Sequence, residues 1–183
     1  VSLGLKKVDF KYLSKDLIKK KYGFDNKSGI FFKNGGWVSP NKICSSLINH
    51  KNIKYIPKKK AKEITYKKKL WITSCHDSSK YAASNLILCN SFGLNEISLF
   101  KSIDLKKNRG QINWLPSKKK CGYKEIISDG GYLIPDVNGF DVFGSTYERD
   151  NENKNLSMTD FEKNFKTYQK LSGDKIEKND ISN

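Results

Sequence analysis

Hydrophobic and polar residues alternate most clearly between Asp129 and Asp150, where two apolar stretches flank the pair Asn138-Gly139. Asn-Gly is the preferred pair for a two-residue type I′ turn, because both turn positions take a positive φ. The pattern therefore predicts a β-hairpin. Pro135 lies inside the first arm, which indicates an edge position or a bulge because proline donates no ladder hydrogen bond.

Three helices are predicted from apolar residues at helical spacing and from the residues at their ends. Each is preceded by a hydroxyl side chain that can accept from free backbone N–H groups. In chain order, these predicted N-caps are Ser14, Ser39 and Thr159. Glu162 lies three residues after the last cap and completes a capping box.

Short apolar runs between these helices predict strands. In chain order, they are residues 29–32, 53–56, 63–66, 70–75, 85–89, 105–115 and 123–127. The run at 85–89 (NLILC) is apolar throughout, which is typical of a fully buried strand. Loops at the carboxyl end of such a strand commonly bind cofactors when the sheet is parallel. Helices and strands together predict a mixed α/β fold.

The chain has 183 residues, of which 37% are hydrophobic. This composition supplies a core for one domain, or for one large piece of a bigger protein. No apolar run approaches the roughly 20 residues that span a bilayer. The sequence begins with Val1 rather than with methionine, so we expect it to start inside a longer parent chain.

The formal net charge is +16, which favours polyanionic partners and nucleic acid first among them. All but two of the 35 basic residues are lysine, and the exceptions are Arg109 and Arg149. Phosphate-binding surfaces usually favour arginine for its fork geometry. Functional charge and drift of a compositionally biased genome therefore both remain open explanations.

Cysteine and histidine spacing argues against a metal site. The four cysteines lie far apart, without a CxxC pair or a histidine at ligand spacing. They are Cys44, Cys75, Cys89 and Cys121. We expect reduced core thiols in a cytoplasmic protein. The isolated His50 and His76 are expected in turns or at the surface, whereas Trp37 and Trp114 are expected in the core.

Motifs that would make a self-contained active site are missing: there is no nucleophile elbow, P-loop, HExxH, paired-carboxylate or GxGxxG motif. The order of five weaker motifs is more informative. They are GGWVSP at 35–40, NLILCNS at 85–91, RGQINWLP at 109–116, DGGYLIP at 129–135 and GSTYERD at 144–150. In this order they resemble the D-amino-acid-oxidase-type FAD-dependent oxidoreductase family, most closely the oxidase half of a bifunctional tRNA-modifying enzyme.

The resemblance implies an architecture in two parts. Residues 1–171 would form the central portion of the FAD-dependent oxidoreductase domain, with a large mixed β-sheet and flanking helices as the substrate part. Strand 85–89 would belong to a Rossmann-like FAD part. The main FAD-binding segment, the GxGxxG unit, is absent from this chain, so the remainder of the same polypeptide is an expected partner, and a methyltransferase domain is a candidate component of it. Residues 172–183 are expected to be a disordered polar tail.

The resemblance also implies a reaction, the oxidation of a C–N bond. The carboxymethyl group would be removed from 5-carboxymethylaminomethyluridine, with or without the 2-thio group, at the wobble position of tRNA. FAD would accept a hydride equivalent, and hydrolysis of the resulting imine would release glyoxylate. No catalytic residue is identified, because flavin amine oxidases of this kind often need no general base.

Site residues follow from the matching motifs. The implied substrate-binding residues are Tyr132, Tyr147, Arg149 and Gln111, and the implied cofactor-binding residues are Ala61, Cys89, Asn90 and Ser91. Relatives usually carry Gly or Ala where this chain has Ser91. Arg149 can equally be a surface charge at the end of the hairpin, and Gln111 can equally flank a strand ladder.

Two other functions are also compatible with the sequence. One is an oxidase of the same family that acts on glycine, sarcosine or a D-amino acid, although a small free substrate would not need a charge of +16. The other is a basic fragment that binds nucleic acid without catalysis. In either case, we expect the isolated chain not to retain FAD.

Overall fold

A computed structural model of the protein describes residues 8–117 and 123–173. These residues form two compact units. The first unit takes its described residues from Val1–Val38, Arg109–Glu148 and Asn153–Asn183, and the second consists of Ser39–Asn108 and Arg149–Glu152.

Helices and strands are both present, so the predicted mixed α/β class is confirmed. The helices are α1 (Lys15–Tyr22), α2 (Pro40–Ile48) and α3 (Met158–Ser172), with short 3₁₀ helices at Ser91–Glu96 and Ser98–Phe100. The strands are β1 (Phe10–Leu13), β2 (Gly29–Phe32), β3 (Ala61–Lys67), β4 (Leu70–Cys75), β5 (Lys80–Ala83), β6 (Asn108–Arg109), β7 (Ile112–Pro116), β8 (Ile127–Ser128), β9 (Tyr132–Val137), β10 (Phe140–Gly144) and β11 (Glu148–Arg149).

The first two helices begin where their caps predict. The Ser14 hydroxyl accepts from the backbone N–H of Leu17, and Gly23 ends α1 with a left-handed φ of 77°. The Ser39 hydroxyl accepts from the N–H of Lys42, and proline occupies the first turn of α2. Proline fits there because its missing N–H would have no partner inside the helix.

The core of the first unit lies between a four-stranded sheet and helix α3. The strand order in this sheet is β7-β10-β9-β8. The side chains of Leu133 and Phe143 are fully buried and pack with Phe165, Tyr168 and Leu171 of α3. One face of the sheet is therefore covered by the helix.

The hairpin predicted at Asn138-Gly139 is confirmed, because β9 and β10 flank it and both turn residues have a positive φ, 54° and 85°. The predicted irregularity near Pro135 is present as well. The register of β9 and β10 shifts between Phe140 and Val142, which leaves two residues of β9 opposite Asp141 alone.

Helix α3 begins earlier than predicted. Its N-cap is Ser157, whose hydroxyl accepts from the N–H of Asp160, so the assignment of Thr159 as cap and Glu162 as its partner is wrong. The helix ends at Ser172, inside the range predicted as a disordered tail, and Gly173 follows it with a φ of 69°. Residues 174–183 lie outside the described part of the chain.

The second unit is built on the antiparallel sheet β3-β4-β5, joined by tight turns. Ile64 of β3 and Ile97 between the 3₁₀ helices are its most buried apolar residues. Helix α2 also belongs to this unit, and none of its residues is buried.

Several predicted strands do not form. Residues 53–56 and 85–89 are irregular, and the predicted strands 105–115 and 123–127 shrink to β6 with β7 and to β8. A central parallel strand needs hydrogen-bonding neighbours along its edges, and no described strand pairs with 85–89. Ile87 in that run is 86% exposed.

The predicted sheet architecture is corrected accordingly. The described strands form four small sheets, of two, four, two and three strands, instead of one large mixed sheet with an added Rossmann strand. Within the described residues, no helix combines the length and the apolar character needed to cross a membrane.

Side-chain exposure corrects other expectations. Trp37 and Trp114 are 48% and 61% exposed and therefore are not core residues. Cys44 and Cys89 are exposed, and Cys75 alone among the three described cysteines is buried. The apolar spacing predicted that Trp37, Trp114, Cys44 and Cys89 would be buried, but no described part of the chain packs over their side chains. Cys121 and the lysine run 118–120 lie outside the described residues.

Candidate functional site

The face of the four-stranded sheet opposite α3 is apolar and open. Cross-strand pairing places Ile112 and Trp114 of β7 beside Gly144 and Val142 of β10. Ile112 is 46% exposed and Trp114 is 61% exposed. Open apolar faces of this kind mark interaction or ligand-binding surfaces in globular proteins.

Tyr132 lies on this sheet, paired with Gly144 on one side and with Ser128 on the other. The phenol is half-buried, and burial raises its pKa above the ordinary value of tyrosine. Gly144 contributes no side chain between Ile112 and Tyr132, so the tyrosine ring borders a stretch of bare backbone. This arrangement can form one wall of a pocket.

Tyr147 and Arg149 lie after β10, on the segment that leaves the hairpin. Both are exposed, and Tyr147 retains 64% of its accessible surface. Tyr147 belongs to the first unit and Arg149 to the second. Of the four implied substrate-binding residues, Tyr132, Tyr147 and Gln111 thus share one unit.

Gln111 is buried, and its side-chain amide is saturated by the protein. The amide oxygen accepts from the N–H of Ser157 at 2.9 Å, and the amide nitrogen donates to the carbonyl of Ser157 at 3.1 Å. The same nitrogen lies 3.5 Å from Asn113 Oδ1. In this structure the amide holds the N-terminus of α3, which the sequence did not indicate.

Arg109 completes that attachment. Its guanidinium donates to Asp160 in a buried ion pair, to the Gln111 amide oxygen at 2.9 Å and to the Asn155 carbonyl at 2.8 Å. The Asp160 side chain is 1% exposed. Sequence reasoning missed Asp160, although an aspartate in the first turn of an amphipathic helix is a signal for such a contact.

The RGQ and GSTY motifs are joined directly. The N–H of Gln111 donates to the Thr146 hydroxyl at 3.1 Å, and the N–H of Thr146 donates to the Gln111 carbonyl at 3.2 Å. Asn164 of α3 donates to the same Gln111 carbonyl at 2.7 Å. Motifs that lie about 35 residues apart therefore form one structural centre at the sheet edge.

Asp141 is a second buried carboxylate that sequence reasoning missed. Its side chain is fully buried in β10. One oxygen accepts from the N–H of Asp136 at 3.0 Å, and the other accepts from the Tyr168 hydroxyl at 2.9 Å. Asp141 thus supports the bulge of the hairpin from inside and faces away from the open side of the sheet.

A cavity of about 480 Å³ lies in the second unit. Its wall includes Ala61 and Asn90, two of the four implied cofactor-binding residues. Ile64, Leu86 and Leu88 give it apolar surface. Cys89 and Ser91 flank Asn90, are exposed, and do not line the cavity.

The charged residues of the cavity wall are Lys59, Lys60 and Glu96. Lys59 pairs with Asp77, and Lys60 pairs with Glu96 at 2.8 Å. The Asp77 pKa is lowered, first by the hydrogen bond from Lys59 and then by hydrogen bonds from Ser79. The apolar wall and the Asn90 amide fit the ring of a nucleotide, whereas Lys59 and Lys60 are each already paired with a carboxylate. Among the described residues, no cluster of three His, Cys, Asp or Glu side chains could hold a metal ion.

Comparison with protein-family models gives no match. Curated proteins do match. The tRNA 5-methylaminomethyl-2-thiouridine biosynthesis bifunctional protein of Pseudomonas syringae pv. tomato is 25% identical over 150 residues, which cover 81% of this chain and 23% of that protein. Its counterpart in Legionella pneumophila is 26% identical over 149 residues, which cover 81% of the chain and 22% of that protein. The chain therefore spans less than a quarter of the length of these relatives.

Among solved structures, glycine oxidase from Geobacillus kaustophilus superposes with a TM-score of 0.74 at 10% identity. The match covers 88% of this chain and 46% of the oxidase. At that identity, the similarity establishes the fold. Together with the curated relatives, it confirms the resemblance that the motif order predicts, to the D-amino-acid-oxidase-type FAD-dependent oxidoreductases and to the bifunctional tRNA-modifying proteins.

Proposed function

We propose that this chain forms the central part of a cytoplasmic FAD-dependent amine oxidoreductase. The proposed reaction removes the carboxymethyl group from 5-carboxymethylaminomethyluridine, with or without the 2-thio group, at the wobble position of tRNA. The observation that carries the proposal is the match of 150 residues to proteins named for the biosynthesis of 5-methylaminomethyl-2-thiouridine in tRNA.

The structural neighbour supports the same chemistry. It is named for the oxidation of glycine. A carboxymethylamino arm on a uridine is an N-substituted glycine, so both substrates present the same carboxylate, carbon and nitrogen. A fold that suits glycine can therefore suit the arm, provided that the nucleoside is also accommodated.

The open sheet face is the proposed substrate wall. Tyr132 provides a half-buried ring, and burial raises the pKa of its phenol. At neutral pH the hydroxyl of a tyrosine is protonated and can donate to a carboxylate. Tyr147 is exposed and can approach the nucleoside. We assign no contact to Gln111, because its amide is committed to Ser157.

FAD is the proposed cofactor, and its chemistry is the acceptance of two electrons from the C–N bond. The residues of this chain that would hold it are Ala61 and Asn90 in the cavity wall. Cys89 and Ser91 would act through their backbone beside Asn90. The larger part of the FAD site is proposed to lie in the remainder of the polypeptide, as is any methyltransferase domain.

A second candidate is an oxidase of free glycine or a related small amine, which the glycine oxidase fold favours. The two candidates differ in the size and charge of the substrate. The net charge of +16 favours tRNA, because each lysine–phosphate contact releases a counterion.

The test uses the full-length protein loaded with FAD and mixed without oxygen with tRNA that carries the carboxymethylaminomethyl arm. We expect bleaching of the flavin absorbance and release of one glyoxylate per tRNA. Glycine, sarcosine and tRNA without the arm are the controls. Bleaching by glycine at a rate at least equal to that with tRNA would support the second candidate, and no bleaching by any of them would contradict both.

A Tyr132→Phe variant refines the test. We expect the Michaelis constant for modified tRNA to rise about ten-fold or more, because a hydrogen bond to a charged group is lost. Tyr12→Phe serves as the matched control, since Tyr12 is 65% exposed, its hydroxyl has no described partner, and it lies in β1, outside the substrate wall. Equal effects of the two substitutions would remove Tyr132 from the substrate wall.

A further inference from the structure

The turn between β3 and β4 carries three lysines in a row, a feature that the proposed reaction leaves unexplained. Lys67 and Leu70 are paired across the hairpin, so Lys68 and Lys69 form a two-residue turn. Their φ angles are 51° and 65°, the type I′ arrangement. Asparagine and glycine adopt such angles readily, whereas lysine does so at an energetic cost.

These lysines are exposed and have no carboxylate partner within the described part of the chain. Two lysines just before the same hairpin are paired, Lys59 with Asp77 and Lys60 with Glu96. The nearest acidic residue in the hairpin is Glu63, four positions from Lys67, about 13 Å along a strand. The tip therefore concentrates positive charge that the rest of the unit does not balance.

Aromatic surface lies directly beneath the charge. Tyr66 and Trp71 are paired across the strands, with ring centroids 4.9 Å apart and ring planes inclined by 48°. Tyr66 is 57% exposed, and Trp71 is half-buried. Trp71 thus fixes the orientation of the tyrosine ring and leaves its outer surface accessible.

Resting on the proposed function, we propose that the hairpin tip, residues 66–71, is an RNA-binding element that holds a single-stranded segment of the substrate tRNA. The three ammonium groups bind successive backbone phosphates, and an unstacked base lies on Tyr66. Lysines beside an exposed aromatic ring form the arrangement that binds single-stranded nucleic acid in many folds. The strained backbone of the turn is consistent with selection for charge at positions where asparagine and glycine fold more easily.

RNA fits the tip better than an anionic membrane does. Only the lysines would contact the phosphates of a lipid surface. Insertion of the hairpin tip into the membrane would need apolar side chains at the apex. The apex holds Lys68 and Lys69, and the aromatic residue lies below them, where a base that projects from a phosphate backbone can reach it.

The decisive variant is Lys67→Gln with Lys68→Asn and Lys69→Gly. It removes three charges and installs the Asn-Gly pair that the turn geometry favours, so the hairpin is retained. The matched control, Lys11→Gln with Lys15→Gln and Lys20→Gln, removes three exposed charges from the first unit, none with a carboxylate partner among the described residues. Equal net charge in the two variants separates the position of the lysines from their number.

Binding of an unmodified tRNA transcript to the full-length protein is measured by fluorescence anisotropy between 50 and 300 mM KCl. We expect the hairpin variant to lower the slope of log affinity against log salt by about 2, since single-stranded phosphates contribute about 0.7 each. The control variant should change the slope by less than half of that. Tyr66→Leu should weaken binding about ten-fold with an unchanged slope, because stacking involves no counterion.

The proposal would be overturned if the hairpin and control variants had the same slope. It would also be overturned if the hairpin variant lost binding to phosphatidylserine vesicles while its binding to tRNA was unchanged. Glyoxylate release is assayed in parallel with tRNA that carries the carboxymethylaminomethyl arm. Hairpin-dependent tRNA binding without glyoxylate release would contradict the proposed reaction and support the RNA-binding element. Normal glyoxylate release together with normal tRNA binding by the hairpin variant would support the proposed reaction and contradict the RNA-binding element.

Discussion

Gln111 and Ser157 form a two-way hydrogen-bonded pair across 46 positions of the chain, in which the side-chain amide of Gln111 binds both the N–H and the carbonyl of Ser157. Ser157 is the N-cap of α3. The glutamine therefore attaches the beginning of the helix to the edge of the sheet. Arg109 reinforces the attachment through Asp160, the third residue of the same helix.

Gln111→Leu tests this attachment. The leucine fills a similar volume, but it leaves the N–H and carbonyl of Ser157 without their partner in a part-buried position. Such unmade hydrogen bonds cost about 1–3 kcal/mol each, so we expect the free energy of unfolding to fall by about 2–4 kcal/mol. Urea denaturation monitored by circular dichroism measures it.

Gln111→Glu is the matched variant, because it keeps an acceptor for Ser157 and loses the donor, while its carboxylate lies beside the Arg109 guanidinium. The free energy of unfolding of Gln111→Glu should lie between that of the wild type and that of Gln111→Leu. A Gln111→Leu protein as stable as the wild type but with impaired turnover would contradict the structural role, and would return Gln111 to the substrate-binding residues implied by the RGQ motif.

Local signals in the sequence were sufficient for elements that depend on neighbouring residues. Asn138-Gly139 specifies its turn through two positive φ angles, and Ser14 and Ser39 cap helices with their own hydroxyl groups. In each case the physical cause lies within about four residues. The hairpin and the first two helices were predictable for that reason.

Contacts between distant residues were not predictable in the same way. Nothing near Gln111 in the sequence indicates that its partner is Ser157, and Thr159 satisfied the local rule for a cap as well as Ser157 did. Strand 85–89 has the composition of a buried strand, but a strand needs a partner, which composition does not specify. Trp114 illustrates the same limit. The alternation of apolar and polar residues predicts which face of the sheet a side chain lies on, but it does not predict whether another element covers that face.

The same distinction between local signals and distant contacts applies to the candidate site. The motif order predicted the family resemblance, and Ala61 and Asn90, separated by 28 intervening positions, line one cavity. The roles of individual residues in binding remain predictions. Asp160 and Asp141, the buried carboxylates, were missed because each becomes conspicuous only when its partners, Arg109 and Tyr168, are in place.

Gly131 lies where the loop before β9 approaches helix α3. A Cβ atom at this position would lie 2.5 Å from Thr167 Cγ2 and 2.9 Å from the Gly144 carbonyl oxygen. Gly131→Ala should therefore lower the free energy of unfolding by about 1–3 kcal/mol through overpacking. Thermal and urea unfolding both measure this change.

Two variants delimit the cause of the Gly131 effect. Gly36→Ala should be neutral to within about 0.5 kcal/mol, since a Cβ atom there meets nothing within 4 Å. Thr167→Ser removes the methyl group and should restore part of the stability of Gly131→Ala, with the contact to the carbonyl remaining. No rescue by Thr167→Ser would indicate that the backbone contact causes the whole loss.

Asp129 links the loop before β9 to two lysines, Lys170 at 2.9 Å and Lys27 at 3.1 Å. Their hydrogen bonds, that from Lys170 first, hold the pKa of the Asp129 carboxyl below its ordinary value. A lowered pKa in the folded state means that this stabilisation is present above the unfolded pKa, about 3.9. It is lost as the pH falls through the folded value.

Asp129→Asn should therefore be less stable than the wild type at pH 7, and the difference should disappear as the pH falls from about 4 towards 2. The effect is modest, up to about 1 kcal/mol for each pair, because the groups are partly exposed and are screened by salt. Melting temperatures between pH 2 and 7, at low salt and in 0.5 M KCl, provide the measurement. Asp104→Asn, at an exposed position without a described ion pair, serves as the matched control. Lys170 also donates to the Asp129 backbone carbonyl at 2.9 Å, and that bond survives the substitution. A loss of stability that stays constant from pH 2 to pH 7 would contradict a charge-based contribution of Asp129.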